Sequence, residues 1–216
     1  MSSKPLVFTL TLILLLVLAS KSYSQPPSAQ SVEYHILALQ WEPTTSEDNV
    51  KREDFRIHGL WPSSSREVVQ YCPGPDFNGD MLKDTQLLND LLKWWPSLVH
   101  SVTSRNFWAE QWRKHGTCSG MDQVEFFQKT LQLRDEAKAL KKLQAILIFP
   151  DNKKTYLATK IISAYDENFP RITCKGNKLA EIHLNLTLET FELQAIATGN
   201  NKDCPKDVLL PKGNRS

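Results

Sequence analysis

The chain has 216 residues and carries 26 lysines and arginines against 24 aspartates and glutamates. That length suits one domain with a proper core. The near balance of charge excludes a bulk attraction to nucleic acid or membrane, so affinity for a polyanion has to come from a local site.

In chain order, the first element reads as a targeting segment. Lys4 precedes a mostly apolar run over residues 6–19, too short and wrongly flanked for a membrane span. Ser22-Tyr23-Ser24 then sets small residues at the two positions a signal peptidase reads. Residues 1–24 are expected to be a signal peptide and residues 25–216 the mature domain, secreted and extracellular, with vacuolar storage as the alternative destination. No other stretch is apolar for long enough to cross a bilayer, which predicts no membrane association of the mature form. Loss of Lys4 and Lys21 leaves 24 basic against 24 acidic residues.

Residues 34–41 read as a strand, with Tyr34, Ile36 and Ala38 on one face and Leu37, Leu39 and Trp41 on the other. A polar loop leads to a short strand at 55–60, ended by Trp61-Pro62 and a serine run, and a turn-rich Cys72-Pro73-Gly74-Pro75 follows. Residues 81–95 carry Leu87, Leu88, Leu91, Leu92 and Trp95 at helical spacing, stopped by Pro96. A second short helix is expected over 107–115, ending at Gly116. Asp122 with Glu125 resembles a capping box that opens a longer helix, with Val124, Phe127 and Leu131 as its buried stripe. Residues 155–165 are expected to be helical. Ile182, Leu184, Leu186 and Leu188 alternate with Glu181, His183, Asn185, Thr187 and Glu189, which predicts a half-buried strand. The sum is one α+β domain without repeats. Asn185-Leu186-Thr187 is an N-glycosylation acceptor on the polar face of its strand.

The four cysteines are Cys72, Cys118, Cys174 and Cys204. An even count in a secreted chain favours two disulfides, and arithmetic alone leaves three pairings open. There is no Cys-x-x-Cys and no paired Cys/His cluster, so neither a metal nor a cofactor is expected.

Two segments carry the chemistry. The first is Ile57-His58-Gly59-Leu60-Trp61-Pro62, and the second runs Phe107-Trp-Ala-Glu110-Gln111-Trp-Arg-Lys114-His115-Gly-Thr-Cys118. On a helix, Phe107, Gln111, Lys114 and His115 fall within an arc of about 100°. That face offers an aromatic ring, an amide, a fixed positive charge and an imidazole, a set suited to an anionic substrate with stackable bases. Both segments resemble the active-site words of the ribonuclease T2 family. The first matches His-Gly-Leu-Trp-Pro in full. The second matches Phe-Trp-x-His-Glu-Trp-x-Lys-His-Gly-Thr-Cys except at Glu110 and Gln111. The resemblance extends to Leu39-Gln40-Trp41, to Trp95-Pro96-Ser97-Leu98 and to Leu131–Asp135, and it leans toward plant self-incompatibility ribonucleases and their S-like relatives.

What the resemblance implies is a secreted endoribonuclease acting on single-stranded RNA without a metal, folded as an antiparallel sheet packed against several helices. His115 takes the role of general base on the ribose 2′-hydroxyl, His58 that of general acid on the leaving 5′-oxygen, and the product is a 2′,3′-cyclic phosphate. Lys114 stabilises the charge that builds on the phosphorane, with Gln111 beside it. Gln40, Ser97, Leu98 and Phe107 stand where relatives line a base pocket, with core packing an equal reading for Leu98 and Phe107. Trp61 stands where a second base stacks, and Glu110 completes the substrate-binding set. The implied bridges are Cys72–Cys118 and Cys174–Cys204.

Glu110 replaces a family histidine that helps to bind phosphate and that self-incompatibility members often lack. One turn before Lys114, Glu110 is also placed to draw that lysine into an intrahelical pair. Gln111 keeps the reach of the family glutamate without its charge. A monomer is expected, with a pollen-side recognition protein as partner if the role is self-incompatibility. The competing reading is a binding protein that keeps the fold with little turnover. His35, His100 and His183 match no active-site word and read as plain surface or strand positions.

Overall fold

The computed structural model describes residues 31–48, 51–165, 170–195 and 203–214. The expected signal peptide lies outside them. Strand β1 (Tyr34–Trp41) sits between β2 (Phe55–Ser63) and β5 (Lys178–Thr187), antiparallel to both. The sheet continues through β6 (Asp207–Leu209) to β3 (Thr155–Leu157), while β4 (Arg171–Lys175) also pairs with β5. Among the described residues every ladder is antiparallel except one short parallel contact, Lys178 opposite Leu209. The domain is α+β, tied by Cys72–Cys118 and Cys174–Cys204.

The two-residue period of a strand decides what each face does. Leu37, Leu39 and Trp41 of β1 line up with Ile182, Leu184 and Leu186 of β5 on the core face. The short helix α1 (Glu42–Thr45) follows β1, and helices α2 (Thr85–Trp94) and α4 (Gln123–Ala137) pack on the core face. Ile36, Ala38 and Gln40 share the opposite face with Glu181, His183 and Asn185. That face holds the site.

Several local expectations need correction. Met81 lies in a 3-10 turn (Gly79–Lys83), and α2 starts only at Thr85, because the Asp84 carboxylate accepts the backbone N–H groups of Gln86 and Leu87. Helix α4 does open with Asp122 capping Glu125 N–H at 2.8 Å. Its buried stripe is however Phe126, Phe127, Thr130, Leu133 and Ala137, with Val124 exposed. The rotated stripe buries two aromatic rings, and Thr130 satisfies its hydroxyl on Phe126 O at 2.7 Å. Lys138 takes a left-handed conformation and separates α4 from α5 (Ala139–Ala145). The segment expected to be wholly helical begins as β3, and α6 (Ala158–Ile162) follows it. Residues 155–157 pair with 207–209, a partner fifty residues away that helical periodicity does not register.

His35 belongs to the core face and is 1% exposed, its ring against Phe191 at 4.8 Å. Neither ring nitrogen has a partner among the described residues. Burial pushes its pKa down to about 4. A lowered histidine binds its proton more tightly in the unfolded chain. Its share of stability is therefore complete above the ordinary value near 6.5 and is lost as pH falls toward 4. His35→Phe removes two unpaired nitrogens, each the kind of group that costs ~1–3 kcal/mol when buried. Urea unfolding at pH 7.5 and pH 5 should show the variant more stable at both and losing less on acidification. Equal acid losses in the two proteins would place the sensitivity elsewhere.

Candidate active site

His58 owes its position to a break in the ladder. Ala38 pairs with Gly59 and Leu39 with Ile57, so His58 is the extra residue of a β-bulge in β2. Bulges re-aim a side chain at the cost of one ladder partner. His115 comes from helix α3 (Ser104–Lys114), which Thr103 caps through Asn106 N–H, and it forms the helix's C-cap, donating its N–H to Gln111 O.

Two tryptophans join these elements. Trp108 Nε1 donates to Trp95 O at 2.7 Å, and Trp95 Nε1 donates to His58 O at 3.0 Å. Trp112, also core, leaves no room for a β-carbon at Gly116, and this is why glycine follows His115. The bridge from Cys72 to Cys118 and the bond from Tyr71 N–H to Lys114 O fasten the end of α3 to the loop after β2.

Trp61 is the centre of the site. Its ring lies 5.1 Å from His58, 5.8 Å from His115 and 5.2 Å from His183. Trp61 Nε1, Gln111 Oε1 and His115 Nδ1 are buried without hydrogen-bond partners among the described residues. A side chain at position 59 would collide with both Trp61 Nε1 and Gln111 Oε1, so Gly59 is what lets them approach. Buried donors and acceptors left unpaired are costly, and a ligand that bonds to them recovers that cost.

The two word histidines sit in different surroundings. His115 is 4% exposed, and burial first, then Lys114 and His58, lower its pKa to about 3. It is a neutral imidazole at ordinary pH. The His58 side chain is 37% exposed, and its Nδ1 lies 2.8 Å from Glu181 Oε1. The other Glu181 oxygen lies 2.6 Å from His183 Nε2. Burial alone would raise the Glu181 carboxyl, but its bonds to His183 and His58 outweigh that and hold it down at about 2. The carboxylate only accepts, so each imidazole donates to it.

Of the remaining expected residues, Gln40 and Lys114 border this group, whereas Leu98 lines a separate hollow with Glu42, Arg56 and Pro96. Gln40 stands opposite Glu181 across the strands, with Nε2 donating to Ile57 O at 3.4 Å. Lys114 is half-exposed at the end of α3, and no carboxylate pairs with it among the described residues. Glu110 does not draw it in. That carboxylate bonds to Arg113 at 2.7 and 3.0 Å and accepts from Tyr71 at 3.3 Å, because the arginine is held over the Tyr71 ring at 4.8 Å. Phe107 is half-buried against the core, Leu98 is buried, and the Ser97 hydroxyl donates to Val99 O at the corner after α2. Asn185 lies two residues from His183 on the same face. Sequence reasoning missed Glu181 and His183. The signal available was their alternation onto the polar face of a strand that borders Gln40.

With that geometry in view, comparison with known proteins decides the family. Residues 32–204 match the Ribonuclease T2 family. The chain belongs to it. Ribonuclease Rh of Rhizopus niveus is 30% identical over 204 residues, covering 82% of this chain and 81% of its own length. Ribonuclease S-7 of Nicotiana alata is 27% identical, covering 82% and 87%. Among solved structures, human RNase T2 superposes with a TM-score of 0.73 at 25% identity, covering 84% of this chain and 100% of its own. RNase NT, solved with 5′-AMP, gives 0.74 at 25% identity over 84% and 99%. By family and fold, this ribonuclease T2 chain is an endoribonuclease.

Proposed function

We propose that the protein is a secreted, metal-independent endoribonuclease that cleaves single-stranded RNA by transphosphorylation through a 2′,3′-cyclic phosphate. The observation that carries this reading is the asymmetry of the two histidines around Trp61. His115, buried and neutral, is suited to take the 2′-hydroxyl proton. His58, its Nδ1 bonded to a carboxylate, is placed to deliver a proton from Nε2 to the departing 5′-oxygen. So low a proton affinity makes His115 a weak base in the free enzyme. A phosphodiester bound beside Lys114 and His58 offsets these two positive neighbours, the smaller causes of the shift, and so raises the basicity of His115. Lys114 and Gln111 then face the charge that develops on phosphorus, and Trp61 supplies a stacking surface for a base.

Secretion is supported by the leader pattern and by two bridges in a chain of this size. Self-incompatibility is the finer proposal for its role. It is supported by Glu110 at the position where that branch lacks the family histidine, and transcript confined to the style is its test. Incubation of the purified enzyme with RNA and excess EDTA should give undiminished cleavage, with 2′,3′-cyclic phosphate ends appearing before 3′-phosphates. Loss of activity on chelation overturns the mechanism. Absence of cleavage under all conditions favours the alternative, a ribonuclease fold kept for recognition.

A further inference from the structure

We propose that Glu181 and His183 are positioning residues for the catalytic step: one carboxylate from β5 holds Nδ1 of His58 and is itself held by His183. The inference rests on the acid role assigned to His58 and extends it to two residues outside both active-site words.

The geometry is a three-member chain. Glu181 spans His58 at 2.8 Å and His183 at 2.6 Å, with a different oxygen for each. His58 stands on a bulge and lacks the ladder partner that would fix its backbone, so its ring depends on side-chain contacts for orientation. With Nδ1–H donated to the carboxylate, Nε2 is the nitrogen turned to substrate. That is the arrangement in which the third group of a catalytic triad fixes tautomer and aim. His183 keeps the Glu181 carboxylate from swinging away, and its own ring is braced edge-on to Trp61 at 5.2 Å. Both side chains are largely shielded, Glu181 at 16% and His183 at 12% exposure.

Other charged groups do not compete for this role. His115 and Lys114 approach from α3 and are cations or neutral bases that offer Nδ1–H of His58 no acceptor charge. Arg171, opposite His183 on β4, is committed to Asp203 at 2.6 Å. Gln40, opposite Glu181 on β1, spends its amide on Ile57 O. Glu181 is thus the one carboxylate bonded to His58 among the described residues.

The test is a double-mutant cycle on a dinucleoside phosphate, with thermal unfolding as the check on folding. Glu181→Gln should lower kcat by at least ~10-fold with little change in KM, a fraction of the ~10²–10⁴ that acid–base catalysis supplies. In the His58→Ala background the same change should cost nothing further, because residues acting as one unit are non-additive. His183→Phe keeps a ring against Trp61 and should give a smaller kcat loss that also vanishes in the Glu181→Gln background. Glu181→Asp, which keeps the charge, should recover part of the rate. Nitrogen-15 spectra of the wild-type histidines should show His58 protonated at Nδ1, and Glu181→Gln should mix its tautomers. Equal losses in both backgrounds would make Glu181 a structural residue and overturn the inference. A rise in KM at constant kcat would also overturn it, by making the pair a substrate contact. Full activity of His58→Ala instead removes the acid assignment on which the inference stands.

Discussion

His115→Ala and His58→Ala should each lower cleavage of RNA by at least ~100-fold, the lower bound of what general acid–base catalysis contributes. The two losses should differ in character. His115 is buried beside Trp61, so its truncation also leaves space in a packed region, and some loss of stability should accompany the loss of rate. His58 is exposed on one side, so truncation there opens no cavity, and its cost in stability should be confined to the lost bond with the Glu181 carboxylate. Removing His58 also frees Glu181, whose remaining bond is to His183. Steady-state kinetics together with thermal unfolding would check both statements. Activity near wild type in either variant would contradict the mechanism.

The second large effect concerns the bridge between Cys72 and Cys118, which closes a separation of 46 residues. A loop of that length gives ~4 kcal/mol of stabilisation in the chain-entropy account, inside the ~2–5 kcal/mol usual for a native bridge. The double substitution Cys72→Ala with Cys118→Ala, which leaves no stray thiol, should lose about that amount in urea unfolding. The bridge also fastens the residues just after His115 to the loop that follows β2, with Tyr71 N–H bonded to Lys114 O at 2.9 Å beside it. Cleavage should therefore fall even at temperatures where the variant remains folded. The bridge between Cys174 and Cys204 joins β4 to the segment before β6, far along the chain from both words, and its removal should cost stability with little change in kcat. Equal effects on kcat from the two bridges would contradict this division.

Much of the site was legible because it is carried by contiguous words. His58, Gly59 and Trp61 lie within five residues, and Gln111, Lys114 and His115 share one helix, so spacing alone brings each group together. What spacing does not express is register. His183 faces Trp61 because β1 aligns Ala38 with both His183 and Gly59, and that alignment depends on the bulge at His58. Nothing in the period of β5 fixes its offset against β1. The same limit explains the other differences. Two stripes of helical period overlap in α4, and the one taken sets Phe126 and Phe127 against the Trp95 ring, which another helix's end supplies. Glu110 had Arg113 and Lys114 within reach along the helix, and the choice fell to Arg113 through Tyr71, which arrives from the loop after β2.

The assignment of base and acid is the central claim, and the leaving group tests it most directly. An RNA dinucleotide releases a 5′-alkoxide that needs a proton, whereas a uridine 3′-(4-nitrophenyl phosphate) releases a phenolate that does not. The measurement is kcat/KM on both substrates for wild type, His58→Ala and His115→Ala. If His58 is the acid, His58→Ala should lose at least ~100-fold on the dinucleotide and little on the nitrophenyl ester. His115→Ala, which lacks the base, should lose heavily on both. Rescue of His115→Ala by the better leaving group, with His58→Ala impaired on both substrates, would contradict the account and exchange the two roles.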